Sequence, residues 1–114
     1  KKYRVTFPDG KHVDFGGKGY SDYTIHKDPE RMRRYLKRHG RMGENWSKKG
    51  AKTAGFWSRW LLWSEPSMPA AKRLLASRFG IIVTEVILRL EKLGVLLESV
   101  QQHHFSIHLF HRRG

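Results

Sequence analysis

Thr53-Ala54-Gly55-Phe56-Trp57-Ser58-Arg59-Trp60-Leu61-Leu62-Trp63 is the stretch whose reading decides the fold. It gathers three of the four tryptophans beside a phenylalanine and two leucines, in a chain that is otherwise polar and basic. Burial is worth about 25 cal/mol per Å² of apolar surface, so rings of this size supply several kcal/mol when covered. On a helix Phe56, Trp60 and Trp63 fall at i, i+4 and i+7 and make one stripe, while Trp57 and Leu61 lie on a neighbouring one. Two readings stay open: the rings are the hydrophobic core, or part of the stripe faces another protein, because aromatic residues and Arg are enriched at interface hot spots.

Upstream lies an apolar face that needs a cover. Tyr3-Arg4-Val5-Thr6-Phe7 and Lys11-His12-Val13-Asp14-Phe15 alternate on either side of Pro8-Asp9-Gly10, the pattern of a β-hairpin. Tyr3, Val5, Phe7, Val13 and Phe15 share one face, opposite Arg4, Thr6, Lys11, His12 and Asp14. A lone hairpin is marginal in water, and Phe56 with Trp60 is the best-placed cover. The surface expected to meet a partner is Trp57, Trp60, Leu61 and Trp63 with Arg59, of which Trp57, Leu61 and Trp63 are the side that this cover leaves free; Trp57→Ala is then expected to cost association more than folding.

Between these two regions stands a basic helix. Asp28 is an N-cap, Pro29 fits the first helical position and Glu30 complements the dipole, so a helix is predicted from Asp28 to His39 with Gly40 as its stop. Met32, Tyr35, Leu36 and His39 form its inner stripe and leave Arg31, Arg33, Arg34, Lys37 and Arg38 outside. Such a face is solvated, or it contacts phosphates or acidic protein. Gly16-Gly17-Lys18-Gly19-Tyr20 lacks the Lys-Ser/Thr pair of a phosphate-binding loop and reads as a loop leaving an edge strand. Ser21–His26 reads as extended or a turn, and Arg41–Lys52 as a loop pinned by Trp46.

Downstream, Thr53 caps the tryptophan helix, which stops before Pro66. A further helix begins at Ser67 or Met68 and ends at Gly80. Ile81-Ile82-Val83 suits a strand, but a helix over 84–101, with Val86, Leu90, Leu93, Leu97 and Val100 in register, is the preferred reading. The tail from Phe105 to Leu109 alternates and reads either as an edge strand or as disordered. The fold class is thus a small α+β domain, an N-terminal hairpin packed against three or four helices, with residues 1–83 as the basic core and 84–114 as a helical extension and His-rich tail.

Charge is the loudest global signal. The 114 residues carry 23 Lys and Arg against 10 acids, a net +13 with pI near 10.5. Such a chain seeks polyanions or acidic surfaces. There is no cysteine, hence no disulfide framework and no thiolate metal cluster. No apolar run reaches transmembrane length. The chain opens Lys-Lys-Tyr, as expected of a processed form or of part of something longer. His103, His104, His108 and His111 invite a metal, but the strand-like alternation breaks the helical His104/His108 spacing and no carboxylate completes the set. Asp22, His26, Asp28, His39 and Glu44 are the one grouping with the residue types of phosphodiester chemistry, yet their spacing is unspecific. No enzymatic activity, catalytic residue, metal, cofactor or small-molecule substrate is expected.

Four ordered blocks carry a resemblance: Gly19-Tyr20-Ser21-Asp22-Tyr23-Thr24-Ile25-His26-Lys27-Asp28-Pro29, then Tyr35-Leu36-Lys37-Arg38-His39, Glu44-Asn45-Trp46, and the tryptophan stretch. Together they resemble a family of small basic, uncharacterised proteins of nucleocytoplasmic large DNA viruses, over roughly Tyr3 to Val83. The resemblance implies a structural virion component, a minor capsid protein on the inner face of the shell that binds major and minor capsid proteins. It brings no catalytic residues. From Thr84 onward the sequence departs from the family pattern. The rival expectation is a nucleic-acid-binding or genome-packaging protein that sets the same Arg/Lys face on phosphates.

Overall fold

The hairpin forms where the alternation places it. In the computed structural model, which describes residues 1–85 and 106–111, β1 (Tyr3–Thr6) pairs antiparallel with β2 (His12–Phe15), with Tyr3 opposite Phe15 and Val5 opposite Val13. The three-residue turn closes as Phe7 N–H donates to the Lys11 carbonyl at 2.8 Å and Gly10 N–H to the Phe7 carbonyl at 2.9 Å. On the polar face the Arg4 guanidinium straddles its cross-strand neighbour Asp14, with Nε 2.8 Å from Oδ1.

Local capping chemistry sets the helices. Asp22 accepts from Thr24 N–H at 2.9 Å and starts α1 (Tyr23–His26), a short helix in a segment predicted to be extended or a turn. Asp22 is 1 % exposed, and its carboxylate also takes the Lys2 ammonium at 2.7 Å, a partner 20 residues away that local patterning does not reveal. Lys27 ends α1 in the left-handed conformation and reaches the Pro66 carbonyl. Asp28 then caps α2 (Pro29–Gly40), which includes the predicted stop Gly40 and ends on Arg41. Thr53 caps α3 (Ala54–Trp57), Ser67 caps α4 (Met68–Phe79), and Gly80 closes α4 with φ +68°.

The predicted 54–63 helix is only partly α. After Trp57 the chain widens into a π turn, Ser58–Leu62. A π turn advances each residue by a smaller angle than an α turn, so the i, i+4, i+7 stripe divides. Phe56 and Trp60 stay together and meet Phe79 of α4, with ring centroids 5.3 and 5.1 Å away. Trp63 swings to the other side and lies flat on Tyr35 of α2, 4.2 Å away and 3° from parallel.

The cover of the hairpin is therefore Trp57 rather than Phe56 with Trp60. Trp57 approaches Phe7 at 6.2 Å and Phe15 at 6.5 Å, and its indole N–H donates to the Ala51 carbonyl at 2.6 Å. The tryptophan segment is buried from two sides, by the sheet and by α4. Its rings join Val5, Phe7, Phe15, Leu75, Ile81, Val83 and Leu109 in one core.

Two further expectations change. Thr84 and Glu85 belong to a strand, β3 (Ile82–Glu85), so a helix does not begin at Thr84; the rest of the 84–101 prediction lies outside the described residues. The tail strand β4 (Ser106–His111) is neither at an edge nor without structure. It is antiparallel to β1 on one side and parallel to β3 on the other, giving the order β2-β1-β4-β3. The predicted division between residues 83 and 84 falls inside β3. The outcome is one small α+β domain, and among the described residues no helix is long and apolar enough to cross a membrane.

Candidate functional site

The tertiary role of α2 follows from one ring. Tyr35 points inward between His39, 4.0 Å away on its own helix, and Trp63 on the π segment. Trp63 in turn meets His26 at 5.3 Å, so a ladder of four rings ties α1, α2 and the tryptophan segment together. Burial, with the Glu44 charge second, pushes the Tyr35 phenol up to about 12. At the end of α2, His39 Nδ1 lies 3.0 Å from Glu44 Oε2, while the Trp46 indole N–H donates to Glu44 Oε1 at 3.0 Å.

With Tyr35 facing in, Arg31, Arg33, Arg34, Lys37 and Arg38 all face out and are exposed, as the spacing predicts. Among the described residues only Arg33 makes an ion pair, with Glu30 one turn back. The face also sets like charges at helical neighbour spacings: Arg34 with Arg38 and Arg33 with Lys37 at i, i+4, and Arg31 with Arg34 at i, i+3. Each such pair destabilises a helix by a few tenths of a kcal/mol, roughly 0.2–0.5, unless an anion lies between them. At its C-terminal end this face opens on a cleft of about 290 Å³ between α2 and the Gly16–Asp22 loop, with Arg38, His39, Lys2 and Tyr20 among its lining residues.

The aromatic residues expected to dock a partner are placed differently. Trp57 and Leu61 are 0 % exposed and Trp60 is 5 % exposed, so none of them offers a free face. Two layers rather than one cover the segment, and this is why both helical stripes are consumed. Trp63 is half-buried in the ring ladder. Arg59 lies across Trp60, its guanidinium carbon 4.2 Å from the ring centroid, and donates to the Trp63 carbonyl at 2.9 Å. Arg78 of α4 lies against the same ring at 4.7 Å. Sequence spacing carries no signal for that meeting, since the two arginines are on different helices.

The residues weighed for phosphodiester chemistry are dispersed into structural work. Asp22 and Asp28 cap two different helices, His26 Nδ1 accepts from the Asp28 N–H at 2.9 Å, and His39 with Glu44 anchors Trp46. Burial, then the Arg31 charge, lowers the His26 pKa. Among the described residues no three His, Cys, Asp or Glu side chains are grouped to hold a metal.

The profile of a family of unknown function (DUF5754) matches residues 1–39. That span holds the hairpin, α1 and the whole basic face of α2, and it stops before the tryptophan segment. No curated protein and no solved structure matches the chain.

Proposed function

We propose that this protein is a structural virion component, a small basic minor capsid protein that docks through the outer face of α2 on acidic surfaces of neighbouring capsid proteins. The observation that carries the reading is the row of exposed like charges on α2, with Arg33 alone ion-paired among the described residues. A helix that keeps such a row against its own repulsion is built for an anionic counterpart. The resemblance of four sequence blocks to small basic proteins of large DNA viruses supplies the setting. The role is binding rather than catalysis, and the aromatic segment serves it from beneath by fixing Tyr35 and hence the helix.

The same face would also suit nucleic-acid phosphates, and salt separates the two. Phosphate binding driven by counterion release weakens steeply with ionic strength, whereas a shape-matched protein interface retains part of its affinity. Crosslinking of intact particles is expected to join Lys37 to capsid proteins. The pair Arg34→Glu and Lys37→Glu is expected to abolish that association with little change in Tm. Tight, steeply salt-dependent DNA binding without capsid-protein association would overturn the proposal.

A further inference from the structure

At about 290 Å³, the cleft between α2 and the Gly16–Asp22 loop has room for a small organic molecule. Pairing settles the charge of its lining. Among the described residues Asp22 is the one carboxylate there, and Lys2 neutralises it at 2.7 Å while also donating to the Tyr20 carbonyl at 2.9 Å. The Tyr35 phenol, pushed up to about 12 chiefly by burial, carries no charge at neutral pH, and His39 is taken up by Glu44. Lys1 and Arg38 remain. Both line the cleft and are exposed to solvent, and among the described residues neither makes an ion pair. Two accessible cations beside a neutralised carboxylate favour an anion.

Tyr20 adds a second requirement. It lines the same cleft yet is 77 % exposed, an aromatic ring largely left in water. The ring lies against Gly17, where an added Cβ would come within 2.7 Å of it, so the missing side chain at Gly17 sets where the ring stands. A free aromatic face suits stacking with a flat ring, and a guanidinium fork with an ammonium beside it suits a dianionic phosphate better than a singly charged carboxylate. We infer that the cleft binds a small phosphate monoester with a flat ring, its phosphate on Lys1 and Arg38 and its ring against Tyr20. Of the five basic residues on the α2 face only Arg38 lines the cleft, so the site goes beyond the docking proposed above and is separable from it. Arg34→Glu with Lys37→Glu, which abolishes docking, should leave the cleft able to bind.

Adenosine monophosphate is the probe, titrated at constant ionic strength and followed by NMR. It is expected to shift the backbone amides of Tyr20, Ser21 and Asp22 saturably. Inorganic phosphate, which lacks the ring, and adenosine, which lacks the charge, should each bind roughly tenfold more weakly or worse. Arg38→Gln, at an exposed position, should lose roughly tenfold, the equivalent of one charge-assisted hydrogen bond. Gly17→Ala displaces the Tyr20 ring on a backbone that Ala tolerates, and should lose roughly fivefold with little change in Tm. Arg34→Gln removes the same charge from outside the cleft and should bind as tightly as the wild type. No saturable shift, inorganic phosphate or benzoate binding as tightly as the nucleotide, undiminished affinity in Arg38→Gln or in Gly17→Ala, or an equal loss in Arg34→Gln would overturn the inference.

Discussion

Trp57 brings one polar atom into the apolar core, and the Ala51 carbonyl receives it. That bond fixes the ring between Phe7, Phe15 and Phe56. Truncation to Ala leaves a large cavity and an unpaired carbonyl, and is expected to cost about 3–5 kcal/mol of folding stability. Urea denaturation checks this; a variant of native stability that had lost only its association would show that the ring belongs to an interface after all. At this scale the sequence is legible wherever chemistry is local. The caps Asp28 and Thr53 and the terminator Gly80 are read correctly because each acts within four residues. The burial of Trp57 is not legible, since its position on the second stripe has no meaning until both covering layers exist. Nor is Gly50, where any Cβ would lie 2.0 Å from the Asn45 carbonyl oxygen, a close approach made by the fold of the loop.

At the level of elements, α2 and the π segment show what periodicity reads and what it misses. The basic face of α2 is visible in sequence because a regular helix converts spacing directly into geometry. In the π turn that conversion changes midway, and three bulky rings reach two different layers. The widening answers to α4 and α2, which lie outside the window that a stripe is read from. For α2 itself the start matters most, because Asp28 Oδ1 accepts from both Glu30 and Arg31, at 2.9 and 3.5 Å. Asp28→Ala is expected to cost about 1 kcal/mol and to fray the turn that carries Arg31. Hydrogen exchange should be faster at those two amides and unchanged at the far end of α2. Uniform exchange along the helix would refute the role of the cap.

Across the whole molecule, the sheet is completed by its last strand. Leu109, 2 % exposed, stands opposite Val5 in β4, and β4 separates β1 from β3. Leu109→Asp is expected to unfold the domain, hairpin included, because a charge there enters the shared core without a partner. Circular dichroism and one-dimensional NMR would report it, and a variant that kept dispersed resonances would place β4 outside the cooperative unit. The alternation of 105–109 admits an edge strand in sequence, with disorder as the alternative, but its place between β1 and β3 depends on pairing across about a hundred residues, which no local pattern encodes. The same arrangement has a consequence for synthesis. Tyr3 pairs with His111, so β1 is synthesised well before this partner and waits with one edge open until nearly everything described has been translated. The basic helix and the tryptophan segment are made in that interval, while the sheet that will bury Trp57 is still half built. Folding of this domain is therefore a late event, timed by the release of its final strand rather than by the appearance of its first.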